Sequence, residues 1–248
     1  MRAAWLLPLA FTSSVSLAET PEADPWEGFN RKMFAFNEFM DRNLLKPVAQ
    51  GYQAVTPQPV DDSVTNFFSN IGDIMVIAND IGQLKPGQAL SDTARFLVNT
   101  TVGFFGVFDV ASHIGLEKHN EDFGQTLGYW GVGSGPYLVL PFFGPSTVRD
   151  AGGLGINYVY GYGIGDIGET TAQDYGAYAL WAADVRADLI ASESLISGDK
   201  YTFLRSFYLQ RREYLINDGQ VQSSFDDDWD SFDDEEDEDW GDDWDKEE

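Results

Sequence analysis

The sequence predicts an all-α chain whose helices are interrupted by one irregular, apolar segment rich in Gly and Pro. Three observations carry that expectation. Apolar residues recur at helical spacing in several separate windows. Sustained alternation of the strand type is missing, beyond a short hairpin signal around Tyr137–Leu140. And from Phe123 to Val148 no side chain is charged, in a protein whose formal net charge is −26.

The elements follow in order. Residues 1–18 open with Arg2, continue through an apolar stretch and end on Ser16-Leu17-Ala18, which supplies small residues for a cleavage site. This is the pattern of a secretory signal peptide. Residues 19–23 read as a linker. Asp24-Pro25 starts a helix, with Trp26, Phe29, Met33, Phe36 and Met40 at spacings of 3, 4, 3 and 4, and Leu44 one step further. Such a narrow stripe is expected to be core, and Lys46-Pro47 is expected to end it. A second helix starts near Asp61–Ser63 and carries Val64, Phe67, Phe68, Ile71, Ile74, Met75, Ala78 and Ile81 on one face, until Lys85-Pro86-Gly87 stops it. A third starts at Ser91. Its 13 uncharged residues between Arg95 and Asp109 make about 20 Å of helix, too short for a bilayer core of about 30 Å. Gly103 and Gly106 permit a neighbouring backbone to come close.

The uncharged run FGQTLGYWGVGSGPYLVLPFFGPSTV then holds six Gly and three Pro. Pro inside a helix costs about 3 kcal/mol, so the run is not a spanning helix. It is either a buried irregular core segment, which the need to shield irregular backbone from lipid favours, or an apolar aromatic hairpin that dips into a leaflet or lines a path for an apolar ligand. After Arg149-Asp150 a second irregular stretch, GGLGINYVYGYGIG, follows. Helical texture returns over Thr170–Ile196 and Tyr201–Leu215, and Asn217-Asp218-Gly219 is a stop signal. Residues 220–248 form an acidic tail, with 16 acidic residues and one basic residue (Lys246) from Phe225 onward. A segment this charged is expected to be disordered when free. Its Phe225, Trp229, Phe232, Trp240 and Trp244 share a third of a helical wheel, which leaves a partner-binding peptide open. Asp226, Asp228, Asp230 and Asp237 imitate a calcium loop, but Ser231 stands where the turn Gly belongs.

Composition excludes several classes. The sequence has no cysteine, so disulfides, thiolate metal sites and acylation at a cysteine are not expected. A basic face for nucleic acid is missing. Ser134 lies in VGSGP, with Val132 where a nucleophile elbow needs Gly. Gly131 and Gly133 run into Pro136 where a dinucleotide fingerprint needs its third Gly. His113 and His119, the two histidines, lack zinc-helix spacing. No cofactor, metal or catalytic residue is therefore expected.

Five blocks, taken in order, resemble the MlaA (VacJ) family of outer-membrane phospholipid-trafficking proteins: DPWEGFNRKMFAFNEFMD (24–41), SVTNFFSNIGD (63–73), RFLVNTTVGFFGVFDVAS (95–112), EDFGQTLGYWGVGSGPYLVLPFFGPSTVRDAGG (121–153) and FLRSFYLQRREYLINDG (203–219). The resemblance spans a domain at 24–219. It implies a ring-like multi-helix protein, not an enzyme, seated on the periplasmic side of the outer membrane in its inner leaflet. An amphipathic channel would take mislocalised phospholipid from the outer leaflet to a periplasmic lipid carrier, with a trimeric porin as companion. Polar members of such a path would come from Asn30, Arg31, Asn37, Asn66, Asn99, Tyr137, Arg149 and Asp150, each of which also suits a cap or an internal pair. Family members are commonly anchored through a cysteine that this sequence lacks, so the apolar ring itself is expected to hold the membrane. Two rivals stay open: a structural porin-binding envelope protein, and a lipid-modifying hydrolase.

Overall fold

In the computed structural model the described residues are 24–219, apart from 162 and 197; the signal peptide, the linker at 19–23 and the acidic tail lie outside them. Nine α-helices and one hairpin are seen among them: α1 Glu27–Met40, α2 Lys46–Val55, α3 Gln58–Gly82, α4 Pro86–Thr101, α5 Val110–His113, α6 Phe123–Tyr129, β1 Tyr137–Leu140, β2 Gly144–Thr147, α7 Val148–Tyr160, α8 Thr171–Ile190 and α9 Lys200–Ile216. The fold is all-α with a two-stranded antiparallel ribbon, in register Tyr137↔Thr147 to Leu140↔Gly144.

Contacts between elements close on themselves. α1 packs on β1, β1 pairs with β2, β2 meets α9, α9 meets α6, α6 meets α3, α3 meets α8 and α8 meets α2. A π-helical turn, Asp41–Leu45, joins α2 back to α1. The circuit of packed elements is thus cyclic.

Four expectations need correction. Lys46-Pro47 does not end the first helix; Pro sits in the first turn of α2, where its missing N–H costs no bond, and the π turn carries the chain through. Most of the aromatic stripe of α1 is not core: Trp26, Phe29, Phe36 and Leu44 are exposed and only Met33 of the stripe packs against the core, while Asn30 beside it is fully buried. α4 begins at Pro86 rather than Ser91 and stops at Thr101. The Gly- and Tyr-rich stretch after Asp150 is helical as far as Tyr160, because Thr147 caps α7 by accepting from the Asp150 N–H. Asn217-Asp218-Gly219 behaves as expected: it ends α9, with Asp218 and Gly219 both at positive φ.

The hairpin is clamped to α1 by two asparagines. Asn30 Nδ2 donates to the Tyr137 carbonyl (3.0 Å) and Asn30 Oδ1 accepts from the Val139 N–H (2.9 Å). Asn37 repeats the pattern on the Leu140 carbonyl (2.9 Å) and the Phe142 N–H (2.8 Å). The Asn30 amide thus occupies the place of a peptide unit in a third strand, since the Tyr137 carbonyl and the Val139 N–H lie two residues apart on one edge of β1. Asn37, two helical turns further along α1, holds the start of the turn, where Phe142 lies beyond β1 at positive φ. Beneath the clamp lies the small apolar core: Tyr137, Val139 and Tyr201, with Met33, Phe34, Tyr208 and Leu209 packed against it.

Replacing Asn30 by Ala strands the Tyr137 carbonyl and the Val139 N–H, both buried. Each such group costs about 1–3 kcal/mol. Asn30→Ala is therefore expected to lose about 3 kcal/mol and to lower Tm by roughly 6–12 °C for a domain of this size, as thermal unfolding in detergent would show. Asn37→Ala, nearer solvent, is expected to lose less than half of that.

Candidate functional site

On the far side of the hairpin from the clamp, β2, α7 and α9 enclose a cleft of about 250 Å³. One wall is apolar, built from Leu140, Phe143 and Pro145 of the hairpin and Leu154 of α7; the other holds Asp122, Asp150, Tyr208 and Arg212. Helical spacing places these groups together. Asp150, Leu154 and Asn157 are four and three apart on α7, and Tyr208 and Arg212 are four apart on α9.

The polar wall is a network of two cations and two anions. Arg212 grips both oxygens of Asp122 (2.5 and 3.0 Å) and also donates to Asp150 (2.9 Å). Arg149 Nε donates to Asp150 Oδ1 (3.0 Å), and the Tyr208 hydroxyl donates to Asp150 Oδ2 (2.8 Å). Asp122 also caps α6 by accepting from the Gln125 N–H (2.9 Å). Burial pushes the Asp122 carboxyl up, but the Arg212 guanidinium outweighs it and holds the group below the usual range. Burial and the neighbouring Asp150 raise the Tyr208 phenol. Three polar atoms of this network and its wall have no hydrogen-bond partner among the described residues: Arg212 Nε, Arg149 Nη2 and Asn157 Oδ1.

Glycine makes the network possible. A Cβ on Gly124 would lie 2.5 Å from Asp150 Oδ1, and one on Gly153 would lie 2.6 Å from the Gly124 nitrogen. α6 and α7 meet backbone to backbone for that reason.

The structure distributes the sequence-predicted residues unevenly. Asp150 lines the cleft and Arg149 braces it. Tyr137 lies behind it, its ring 6.3 Å from that of Tyr208. Asn30 and Asn37 hold the opposite edge of the hairpin. Arg31 is exposed, pairs with Glu27 and Asp199, and lies over the Tyr201 ring at 4.3 Å. Asn66 borders a second, open groove beside Val107 and Phe108. Asn99 is buried, donating to Asp109 (3.0 Å) and accepting from the Ala111 N–H (2.9 Å). Sequence reasoning missed Asp122, Asn157, Tyr208 and Arg212. Asp122 carried a usable signal, an acidic residue at the N-cap of FGQ; the α9 pair carried none without a partner in view.

The surface inverts the usual order. Buried side chains include Asp73, Asp80, Asp92, Asp184, Arg95 and Asn30, whereas Trp130, Phe142, Phe143, Phe104, Phe105 and Leu84 face outward at 59 to 76% exposure. Leu84, Phe104, Phe105 and Phe142 also hold positive φ, a conformation that costs an L-residue about 1–2 kcal/mol. The uncharged run therefore resolves into a buried base at Gly124–Thr126 and Tyr137–Val139 and an exposed apolar hairpin tip. Among the described residues no helix is long and apolar enough to cross a membrane.

A helical chain that buries its charges, turns its rings outward and keeps an amphipathic cleft has the make-up of a protein that meets lipid. The chain belongs to the MlaA lipoprotein family, whose profile matches residues 22–215. It is 35% identical over 206 residues to the intermembrane phospholipid transport system lipoprotein MlaA of Escherichia coli, covering 81% of each chain. To the Haemophilus influenzae protein of the same name it is 29% identical over 232 residues, covering 89% of this chain and 92% of that one. An uncharacterised Rickettsia prowazekii protein is 35% identical over 78% of each. A chain solved in work on the structural basis for maintenance of bacterial outer membrane lipid asymmetry superposes with a TM-score of 0.68 at 34% identity, covering 78% of this chain and 98% of that one.

Removing the Arg212 cation leaves Asp122 and Asp150 facing each other. Breaking the buried Arg212–Asp150 pair costs about 3–5 kcal/mol, so Arg212→Met is expected to lose that much at neutral pH. Asp122, held below its ordinary value of 3.8, contributes stability above that pH and loses it as the pH falls further. The gap between wild type and variant should thus narrow below about pH 4, which urea unfolding at two pH values would test.

Proposed function

We propose that this protein is an outer-membrane component of retrograde phospholipid transport, which removes mislocalised phospholipid from the outer leaflet and so maintains lipid asymmetry. The observation that carries the reading is the amphipathic cleft beside an exposed apolar hairpin. The hairpin tip, with Phe142 and Phe143, meets acyl chains. Leu140, Phe143, Pro145 and Leu154 form an apolar wall for the first methylenes. Arg212, Asn157 and Tyr208 offer the polar end for a headgroup. Ligand pockets run to about 300–1,000 Å³, so a cleft of about 250 Å³ takes a headgroup and its nearest carbons and not a whole diacyl lipid.

The kinship supports the reading, since the relatives are named for intermembrane phospholipid transport and the structural neighbour for outer-membrane asymmetry. Those relatives are called lipoproteins; in this chain the outward rings supply membrane affinity of their own. Catalysis is not required. The cleft's hydroxyls are Ser146, which donates to the Thr147 carbonyl (3.2 Å), and Tyr208, committed to Asp150, and no histidine lines it. Transfer is passive, with a periplasmic lipid carrier drawing lipid onward and a trimeric porin as companion in the membrane.

Protein extracted from membranes in mild detergent is expected to carry intact diacyl phospholipid near one per chain, read by mass spectrometry. Phe143→Asp and Leu154→Asp, if still folded by circular dichroism, should carry at least tenfold less, the scale of about 1.4 kcal/mol. Lyso-lipid and free fatty acid would instead mark a hydrolase. Lipid-free protein in the soluble fraction would favour the porin-binding rival.

A further inference from the structure

The C-terminal half of α3 meets α4 and the segment 114–122 along a seam crowded with buried charge. Most of that charge is paired. Asp73 is bound by Lys118, and Arg95 donates to Asp109 (2.9 Å), to Ser112 (2.8 Å) and to the Leu116 carbonyl (2.8 Å). Asp92 on α4 is held at its Oδ2 by the His119 ring (2.9 Å). Asp80 on α3 differs. It is fully buried, and among the described residues neither carboxylate oxygen has a hydrogen-bond partner. α3 packs along α4, and across this seam Asp80 interacts with Asp92, which is 1% exposed, with Glu121 and Lys85 also near enough to act on it.

A buried acceptor without a donor is costly, and two buried carboxylates side by side do not both ionise. One proton between them cures both faults: it removes a charge and supplies the missing O–H. We propose that Asp80 and Asp92 share one proton, with Asp80 as donor and the His119-held Asp92 as acceptor, and that this proton latches α3 to α4 and to α6. Burial is the largest force that raises the Asp80 carboxyl, Asp92 is the next and Glu121 adds to it; Lys85 opposes them, and together they push the group up to about 7. Lys85 is diverted from Asp80 by Glu121 (3.1 Å) and by Asp218 at the end of α9. Of the other charges at the seam, Asp73, Lys118 and Arg95 are occupied with one another.

The latch sits where it can be felt by the rest of the fold. Asn79 and Gln83, on either side of Asp80 in sequence, both bond Thr126 of α6 (2.8 and 3.2 Å), and Gln83 also bonds Glu121 (2.8 Å). The Gly82 carbonyl accepts from the Trp130 indole (3.0 Å). α6 carries Gly124 against the Asp150–Arg212 network. A second full charge at Asp80 would have to be hydrated, next to this α3–α6 contact.

The direction with pH follows. The folded state keeps a proton that the unfolded chain gives up near 3.8, so the stabilisation is complete below about pH 4 and is lost as the pH rises toward about 7. Wild-type Tm is expected to fall by roughly 5–10 °C between about pH 5 and about pH 8. Asp80→Asn keeps a donor and cannot ionise, so it should remove at least half of that fall and melt above wild type at the alkaline end. Asp92→Asn should do the same with the roles reversed. A variant-independent reading comes from infrared difference spectra of the wild type: a protonated-carboxyl C=O band should vanish between about pH 6 and about pH 8. That band should be missing from Asp80→Asn. An unchanged Tm slope in both variants, or no such band in the wild type, would overturn the latch. So would calcium chloride raising the Tm of wild type and not of Asp80→Asn at about pH 8, because a cation would then bridge the pair.

Discussion

The edge of a two-stranded sheet is the constraint around which this protein is built. An isolated hairpin is marginal in water, and its outer edge presents N–H and C=O groups that must find partners. Here the outer edge of β1 is closed by Asn30, whose amide stands in for a third strand, and the turn beyond β1 is held by Asn37. The two asparagines are seven residues, about two turns, apart and so lie on one side of one helix. Everything on the far edge inherits that placement. β2 meets α9, Thr147 starts α7, and the Asp122–Arg212–Asp150 network closes behind them. The clamp therefore fixes the hairpin tip and the cleft wall, and it joins the first and last helices of the circuit.

A second constraint is the inverted distribution of polarity. In water, apolar burial drives folding and buried polar groups are tolerated only when paired. Here the apolar core is small, and the elements are tied by polar side chains: Arg186 to Asp41 at 2.6 and 2.9 Å, Tyr52 to Asp184 at 3.0 Å, Arg95 to Asp109. Lipid removes the hydrophobic force between helices, because acyl chains are as apolar as Leu. Hydrogen bonds and ion pairs then hold the elements together, while rings on the outside gain by leaving water. Phe104, Phe105 and Phe142 are exposed and are held at positive φ besides. That cost goes unrewarded in water and is offset where the rings meet apolar surroundings, since burying a Phe side chain contributes about 1.5–3 kcal/mol.

Much of the fold was legible in the sequence, and the exceptions have physical causes. Periodicity found the long helices, because 3.6-residue spacing does not depend on what a face packs against. Periodicity could not say which face was inside. The Trp26–Phe29–Phe36 stripe looks like core in any aqueous protein, yet it is the exposed side, since the surrounding medium is not written in the spacing. Gly-rich α7 reads as irregular in the sequence because glycine lowers helix propensity by about 1 kcal/mol per residue. A good cap at Thr147 and a backbone-to-backbone contact with α6 outweigh that. At the cleft, Arg149 and Asp150 stood out as the charged pair in a charge-free run. Arg212 and Tyr208 did not, because their partners lie 90 and 58 residues away in the chain. Such pairs become visible only once the hairpin sets the topology.

If the cleft takes a lipid headgroup as proposed, its geometry sets how strongly it would hold one. Arg212 is already satisfied by two carboxylates, and only its Nε is left without a partner. A headgroup phosphate would meet a guanidinium whose charge is largely neutralised, next to Asp122 and Asp150, which repel it. An unpaired Arg in the same place would grip phosphate bidentately and hold it. A site through which lipid passes needs binding that is favourable enough to admit a headgroup and weak enough to release it, the same requirement that shapes a conducting pore. Two cations balanced by two anions beside an apolar wall meet that requirement. On the proposed reading they would keep the cleft polar enough to accept a headgroup and leave no net charge to trap it.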